Sequence, residues 1–363
     1  MRAVVLVGGE GTRLRPLTLT MPKQMLPIVE QPMIERVLGH LAHHGIEDAV
    51  LSLGYRPDAF VDAYPDGTIA GVRSHYAVEA SPLDTAGAIR FAAEYGGIDE
   101  TFVVVNGDVL TDADISALVA FHLLRGAEAT IGLTPVDDPS AFGVVPTDDQ
   151  GKVEAFIEKP PRHEAPTNLI NAGLYVLEPS VLQRIRKNAR VSIERETFPS
   201  LVEDGTLFAL PSDAYWLDTG TPDAYLRAHR DLLLGRRAGP PAPEAETDPS
   251  IGPGVWRIGD VDVRSASVAR SLFGRGASVA PNAVVEESVV GAGAVVEDGA
   301  SVVASVLLPG ARVASRATVE GSIVGPGAIV GQRCTVQAIS VIGAGAVTAS
   351  GTVIDGERVT AGS

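Results

Sequence analysis

Two different rhythms of apolar residues divide this chain. Up to about residue 234, short apolar runs alternate with helical patterns; beyond residue 254, apolar residues recur every five or six positions. In the first part, residues 2–7 (RAVVLV) read as a buried strand. A helix follows near 32–44 (PMIERVLGHLAHH), then a strand at AVLSLGY, a helix beginning within 57–63, a second buried strand in TFVVVNGDVL and a helix near 112–125. Strand–helix alternation predicts an α/β domain, a mostly parallel sheet covered on both faces. Ligands of such sheets bind beyond the C-terminal strand ends. Residues 142–160 (FGVVPTDDQGKVEAFIEKP) read as a hairpin turning at Asp149-Gln150-Gly151.

In the second part, the apolar positions are 273, 279, 285, 290, 296, 302, 308, 313, 319, 324, 330, 336 and 342. A helix would repeat every 3.6 residues instead. The motif is clearest in VGAGAV (290–295), VEDGAS (296–301) and VGPGAI (324–329). A hexapeptide period marks a parallel β-helix, here expected as about four coils with three six-residue faces each. Between the two parts, residues 235–254 (GRRAGPPAPEAETDPSIGPG) are rich in Pro and Gly and read as a linker. The expected division is therefore residues 1–234, a linker over 235–254, and a β-helix over 255–363.

Composition narrows the class. At 363 residues, 45% hydrophobic and 20% charged, the chain fits a soluble globular protein of two domains. No apolar run approaches the ~20 residues of a membrane span, and the N-terminus enters a strand without a signal-peptide pattern. One cysteine, Cys334, excludes an internal disulfide and fits a reducing, cytoplasmic setting. A net charge of −16 argues against nucleic acid as a partner. No histidine follows His229, so the β-helix lacks a base for acyl-transfer chemistry. Its valine-rich faces suit a structural role and a homo-oligomer.

The candidate chemistry begins where the first strand breaks, in VLVGGEGTRLRPLTLTMPKQMLPI (residues 5–28). Gly8, Gly9 and Gly11 allow close approach of backbone N–H groups to phosphate. Arg13 and Lys23 supply charge for it. The spacing is neither G-x-G-x-x-G nor G-x-x-x-x-G-K-[ST]. Asp108 follows the buried strand TFVVVN and Gly107, where a carboxylate suits Mg²⁺ bound together with substrate phosphates. A helix N-cap or turn would also explain it, a role that Thr111 and Asp112 fill equally well. His40, His43 and His44 lack a matching carboxylate or cysteine set, so a solvated helix face explains them.

The residue 5–28 string resembles the signature of the sugar-1-phosphate nucleotidylyltransferases, G-G-x-G-T-R-L-x-P-L-T followed by P-K. That resemblance implies a Rossmann-like nucleotidyltransferase domain followed by a left-handed β-helix. It implies nucleotide binding by Gly8, Gly9, Gly11, Thr12, Arg13 and Gly107, and Mg²⁺ on Asp108 and on Asp218 of WLDTG. Glu158-Lys159 would hold the sugar phosphate, with Gly143 and Asn171 (of NAGLYV) on the sugar. Catalysis would fall to Arg13, Lys23 and Asp108. The attacking phosphate oxygen is already largely ionised near neutral pH, which fits the lack of a nucleophile–base set.

Further strings, NAGLYVLEPSVL, VSIERETFPSL and YWLDTGTPDAYL, are most similar to mannose-1-phosphate guanylyltransferases. Two departures bear on the base. Gln24 follows Lys23 where that group usually has proline, a pattern more like thymidylyltransferases. Asp84, in SPLDTAG, replaces the usual glycine of P-L-G-T-A-G, while Gly87 stands where thymidylyltransferases tend to carry a base-reading glutamine. A carboxylate only accepts hydrogen bonds. It matches the adjacent N1–H and N2–H₂ donors of guanine and repels the carbonyls of thymine or uracil. GTP and mannose 1-phosphate are thus the expected substrates if Asp84 faces the base. A glucose-1-phosphate thymidylyl- or uridylyltransferase, or a non-catalytic NDP-sugar-binding homologue, is the alternative.

Overall fold

The computed structural model describes residues 1–237 and 239–362. Ala238, in the expected linker, and Ser363, at the end of the β-helix span, lie outside them. By internal contacts the chain forms two compact units: Met1–Glu10 with Ile34–Leu217, and Gly11–Met33 with Asp218–Ser363. The units do not follow chain order. The segment carrying Arg13 and Lys23 belongs with the solenoid.

The first unit is built on a mixed sheet. Its strands run in the order Ile157–Glu158, Gly143–Val144, Leu169–Leu177, Phe102–Asn106, Ala3–Leu6, Asp48–Leu53, Val72–Val78 and Thr68–Ile69. The four from Phe102–Asn106 to Val72–Val78 are parallel. These are the apolar runs of the sequence, and Val4, Val50 and Val104 are fully buried among them. Leu169–Leu177 adds an antiparallel partner for Phe102–Asn106 and Ala129–Pro135. The helices Met33–His43, Asp58–Ala63 and Ile115–Arg125 stand where the apolar pattern placed them. Asp114 caps the last, accepting the Ala117 N–H at 2.9 Å. The cap is therefore neither Asp108 nor Thr111 or Asp112; Asp108 instead lies in the turn between Phe102–Asn106 and Val109–Thr111. The 142–160 hairpin is present: Gly143–Val144 pairs with Ile157–Glu158, and Gly151 takes φ 78° in its turn.

The second unit holds a three-faced solenoid of parallel strands, the arrangement expected of a left-handed β-helix. Its coils are three faces of six only from Val324 to Ile342, which are paired 18 residues apart; the preceding coils are shorter. There inward residues recur 17 apart, as in Val279, Val296, Val313 and Val330, so one face in three has five. On that face Phe273, Val290, Leu307 and Val324 are stacked in register. Leu307, not Leu308, is the stacked residue, because a leucine pair at the corner hides which one faces inward. The stack also exceeds the expected four coils, since the three sheets have eight, five and six strands. The proline-rich segment is not structureless. Glu246–Thr247 pairs antiparallel with Trp256–Arg257, and such short pairing leaves no apolar period to read.

A serine ladder runs up one corner of the solenoid. Ser271, Ser288, Ser305 and Ser322 are fully buried or nearly so. The Oγ of each of the first three accepts the backbone N–H of the next serine, at 3.1, 3.0 and 3.1 Å. Ser305→Ala strands the Ser322 N–H, at a cost of about 1–3 kcal/mol. The thermal transition of the solenoid is expected to fall by several degrees; an unchanged Tm would show that water replaces the hydroxyl.

Candidate active site

In the first unit, the glycine loop leaves the sheet between two parallel neighbours. Gly107 N–H donates to Leu6 O at 2.9 Å, so Gly8 and Gly107 follow the ends of adjacent strands. Gly8 lies against Gly54, whose Cβ would sit 2.8 Å from Gly8 O. Glu79 organises this corner. Its carboxylate accepts from Ser52 Oγ at 2.8 Å and from Leu83 N–H at 3.0 Å, and a Cβ on Gly8 would approach it to 3.4 Å.

Leu83 leads into Asp84, the first residue of the helix Asp84–Tyr95, with φ 61°. That left-handed backbone explains why glycine is usual here. Aspartate tolerates it better than most side chains. Asp84 is exposed; Oδ1 accepts the Thr85 N–H at 3.0 Å and Oδ2 lies 4.0 Å from Arg190. Gly87 is buried against Ala189, whose carbonyl would lie 2.5 Å from a Cβ. Packing alone requires glycine there.

The four residues expected around the sugar phosphate are gathered on neighbouring strand ends. Gly143 pairs with Glu158, and Val144 pairs with Ile170 beside Asn171. A Cβ on Gly143 would lie 2.5 Å from the Phe156 ring. Lys159 takes φ 51°, its N–H donating to Phe142 O at 3.0 Å. That turn leaves its ammonium exposed, 3.4 Å from Glu158 Oε1. Asn171 spans a register shift in its strand, where Gly173 has φ 70°. Its Oδ1 accepts from Gly173 N–H and its Nδ2 donates to Tyr175 OH, both at 2.9 Å. Burial raises the Tyr175 pKa, and the charges of Glu194 and then Glu158 add to it. Trp216 donates Nε1–H to Ala172 O at 2.9 Å and packs edge-on to Phe142.

The second unit carries the other half of the loop. Gly11 has φ 63°, and its Cβ would meet Thr18 Cγ2 at 3.0 Å and Lys23 Cβ at 3.1 Å. Only glycine lets Lys23 lie against the loop. Arg13 Nη2 lies 3.8 Å from Asp218 Oδ2. Gly220 makes room for both, since a Cβ there would be 2.6 Å from Arg13 Nη2 and 2.9 Å from Asp218 Oδ1. Gly220 N–H donates to that Oδ1 at 2.8 Å.

Asp108 and Asp218 are half-buried carboxylates at or just after strand ends. Among the described residues no group of three or more His, Cys, Asp or Glu is assembled as a metal cage. One or two carboxylates are the donor set that Mg²⁺ takes when phosphates and water complete its shell.

The nucleotidyl transferase family profile matches residues 2–234. The chain belongs to that family. A second profile, the GMPPB C-terminal domain, matches residues 268–362. A mannose-1-phosphate guanylyltransferase of Mycobacterium tuberculosis is 40% identical over 282 residues, 77% of this chain and 76% of the relative. A mannose-1-phosphate guanyltransferase of Aspergillus fumigatus is 43% identical over 232 residues, 62% of each chain. The crystal structure of HddC from Yersinia pseudotuberculosis complexed with GMP-PN matches with TM-score 0.55 at 28% identity, covering 63% of this chain and 98% of HddC.

In this nucleotidyl transferase, sequence reasoning missed the residues that hold the site from behind. Glu79 has no motif around it. Glu194 binds Thr85 Oγ1 and Ser192 Oγ, both at 2.8 Å, across a turn of π-helix at Ile193–Thr197. Such a turn has no signature in apolar periodicity, although it marks functional segments in many proteins. Among the described residues, no helix is long and apolar enough to cross a membrane.

Proposed function

We propose that this chain transfers a guanylyl group from GTP to mannose 1-phosphate, giving GDP-mannose and pyrophosphate. The observation that carries the reading is the packing of Lys23 against left-handed Gly11, which builds an ammonium into a glycine loop. The guanylyltransferase names of relatives near 40% identity support the substrates. A phosphate oxygen of the sugar phosphate attacks the α-phosphorus of GTP, and the bond to the β-phosphate oxygen breaks. No proton need be removed. The protein aligns two anions and offsets the charge that develops between them. Lys159 holds the incoming phosphate, Glu158 and Asn171 orient the sugar, and Arg13 and Lys23 stabilise the α-phosphate and leaving pyrophosphate. Asp108 and Asp218 would hold Mg²⁺, which supplies Lewis-acid polarisation of the phosphate when bound.

The test is pyrophosphate release with Mg²⁺, pairing GTP, dTTP, UTP, ATP or CTP with mannose 1-phosphate or glucose 1-phosphate. Fastest turnover is expected with GTP and mannose 1-phosphate. A dTTP or UTP preference would overturn the base assignment, and no release with any pair would overturn the reaction. Asp84→Gly keeps the left-handed backbone and removes the carboxylate. It is expected to reduce the preference for GTP over dTTP by about ten-fold, the worth of a charged hydrogen bond. An unchanged preference would place base reading elsewhere.

A further inference from the structure

Lys23 opens a short turn, Lys23–Met25, closed by Leu26 N–H donating to Lys23 O at 3.2 Å. Leu26 O then accepts the Met33 N–H, also at 3.2 Å. Between them lies a hairpin whose strands, Pro27–Ile28 and Gln31–Pro32, are two residues each. Its turn is Val29-Glu30, with φ 49° and 64°. Two successive left-handed residues make the turn that Asn-Gly favours. A β-branched residue there is a backbone outlier, and strands this short cannot hold it.

The turn is held from outside. Val29 N–H donates to His229 Nδ1 at 3.2 Å, and Tyr225 OH donates to Pro27 O; both partners lie on the helix Pro222–Leu233. Glu30 reaches the solenoid, where Oε2 accepts the Ala292 N–H at 3.0 Å. Its carboxylate fills a slot between glycines. A Cβ on Gly274 would lie 2.6 Å from Oε2, and one on Gly291 3.0 Å from Oε1. These glycines hold the same place in successive coils, each following a paired strand, Leu272–Phe273 and Val289–Val290. Further along the same corner, Gly343 meets Pro16, whose Cγ would be 3.0 Å from a Cβ. Burial raises the Glu30 pKa and the Ala292 N–H opposes that rise.

We propose that Glu30 is a positioning residue for Lys23: seated in the glycine slot of the solenoid, it holds the hairpin in its left-handed form and so fixes the turn that presents the ammonium. This rests on the role given to Lys23 above. The β-helix then contributes to turnover through one carboxylate.

Ala292→Pro separates this seat from general stability. Pro309 and Pro326 stand at the equivalent turn position of the next two coils, so proline fits the solenoid and removes the N–H that Glu30 accepts. Wild type, Glu30→Ala, Glu30→Gln and Ala292→Pro would be compared as full-length enzymes with GTP and mannose 1-phosphate. Glu30→Ala and Ala292→Pro are expected to lower kcat by about ten-fold or more, with KM for the sugar phosphate within about two-fold of wild type. Glu30→Gln keeps an acceptor oxygen and is expected to retain turnover. In a Lys23→Ala background, Glu30→Ala should cost no more than about two-fold further. Losses that multiply in full in that background, or variants as active as an active wild type, would overturn the proposal alone. A wild type inactive with every nucleotide and sugar phosphate would overturn the reading of the reaction, and the proposal with it.

Discussion

Lys23→Ala is expected to lower kcat by about two to three orders of magnitude, the usual cost of removing one preorganised donor to developing negative charge. The expectation follows from how the residue is held. The Lys23 stem is half-buried and lies on Gly11, with Cβ and Cδ at 3.1 and 3.5 Å from where a Gly11 Cβ would stand. Thr18 Oγ1 fixes that corner by donating to Gly11 O at 2.8 Å. Few rotamers are then left to lose when substrate arrives. Lys23→Arg should fail to restore turnover, because a planar guanidinium needs a different approach from a point charge. Steady-state pyrophosphate release decides the matter. Near-normal kcat in Lys23→Ala would remove the residue from the mechanism.

Asp108→Ala should have an effect of similar size, about 10²–10³-fold in kcat, with little change in Tm. The helix that follows keeps its cap at Asp114, so the substitution leaves that cap in place. Mn²⁺ binding in the presence of GTP, followed by electron paramagnetic resonance, gives a readout independent of turnover. Asp108→Ala should weaken that binding about ten-fold or more. Asp218→Ala should weaken it too and in addition release Arg13, which lies 3.8 Å away. Unchanged Mn²⁺ affinity in both variants would show that the protein holds the metal by other groups.

Much of this arrangement was legible in the chain because local chemistry dictates it. A strand that ends in Gly-Gly-x-Gly announces its turn, and the apolar runs of a buried parallel sheet cannot be helices of ordinary length. The five-six rhythm likewise can be satisfied only by a solenoid. Three things were not legible. The Leu307–Leu308 pair hid which leucine is stacked, since both are buried. The serine ladder has a clear period of its own but carries no apolar signal. Glu30, 262 residues from Ala292, offers nothing local to distinguish it from a surface carboxylate. Asp84 lies between these cases: its departure from glycine is visible in the sequence, and only its φ of 61° shows what that glycine was for.

The coil of 17 or 18 residues also makes the solenoid a ruler. Its interior repeats, so removing one whole coil would leave the valine stack and the serine ladder in register. Segment Gly11–Met33, however, is marked off against that ruler at two places, by Glu30 at Gly274 and Gly291 and by Pro16 at Gly343. Taking out a coil between them would shift one mark by about 4.8 Å relative to the other, while the distance along the loop stayed the same. The number of coils is thereby tied to the length of a loop more than two hundred residues earlier, and neither can change alone.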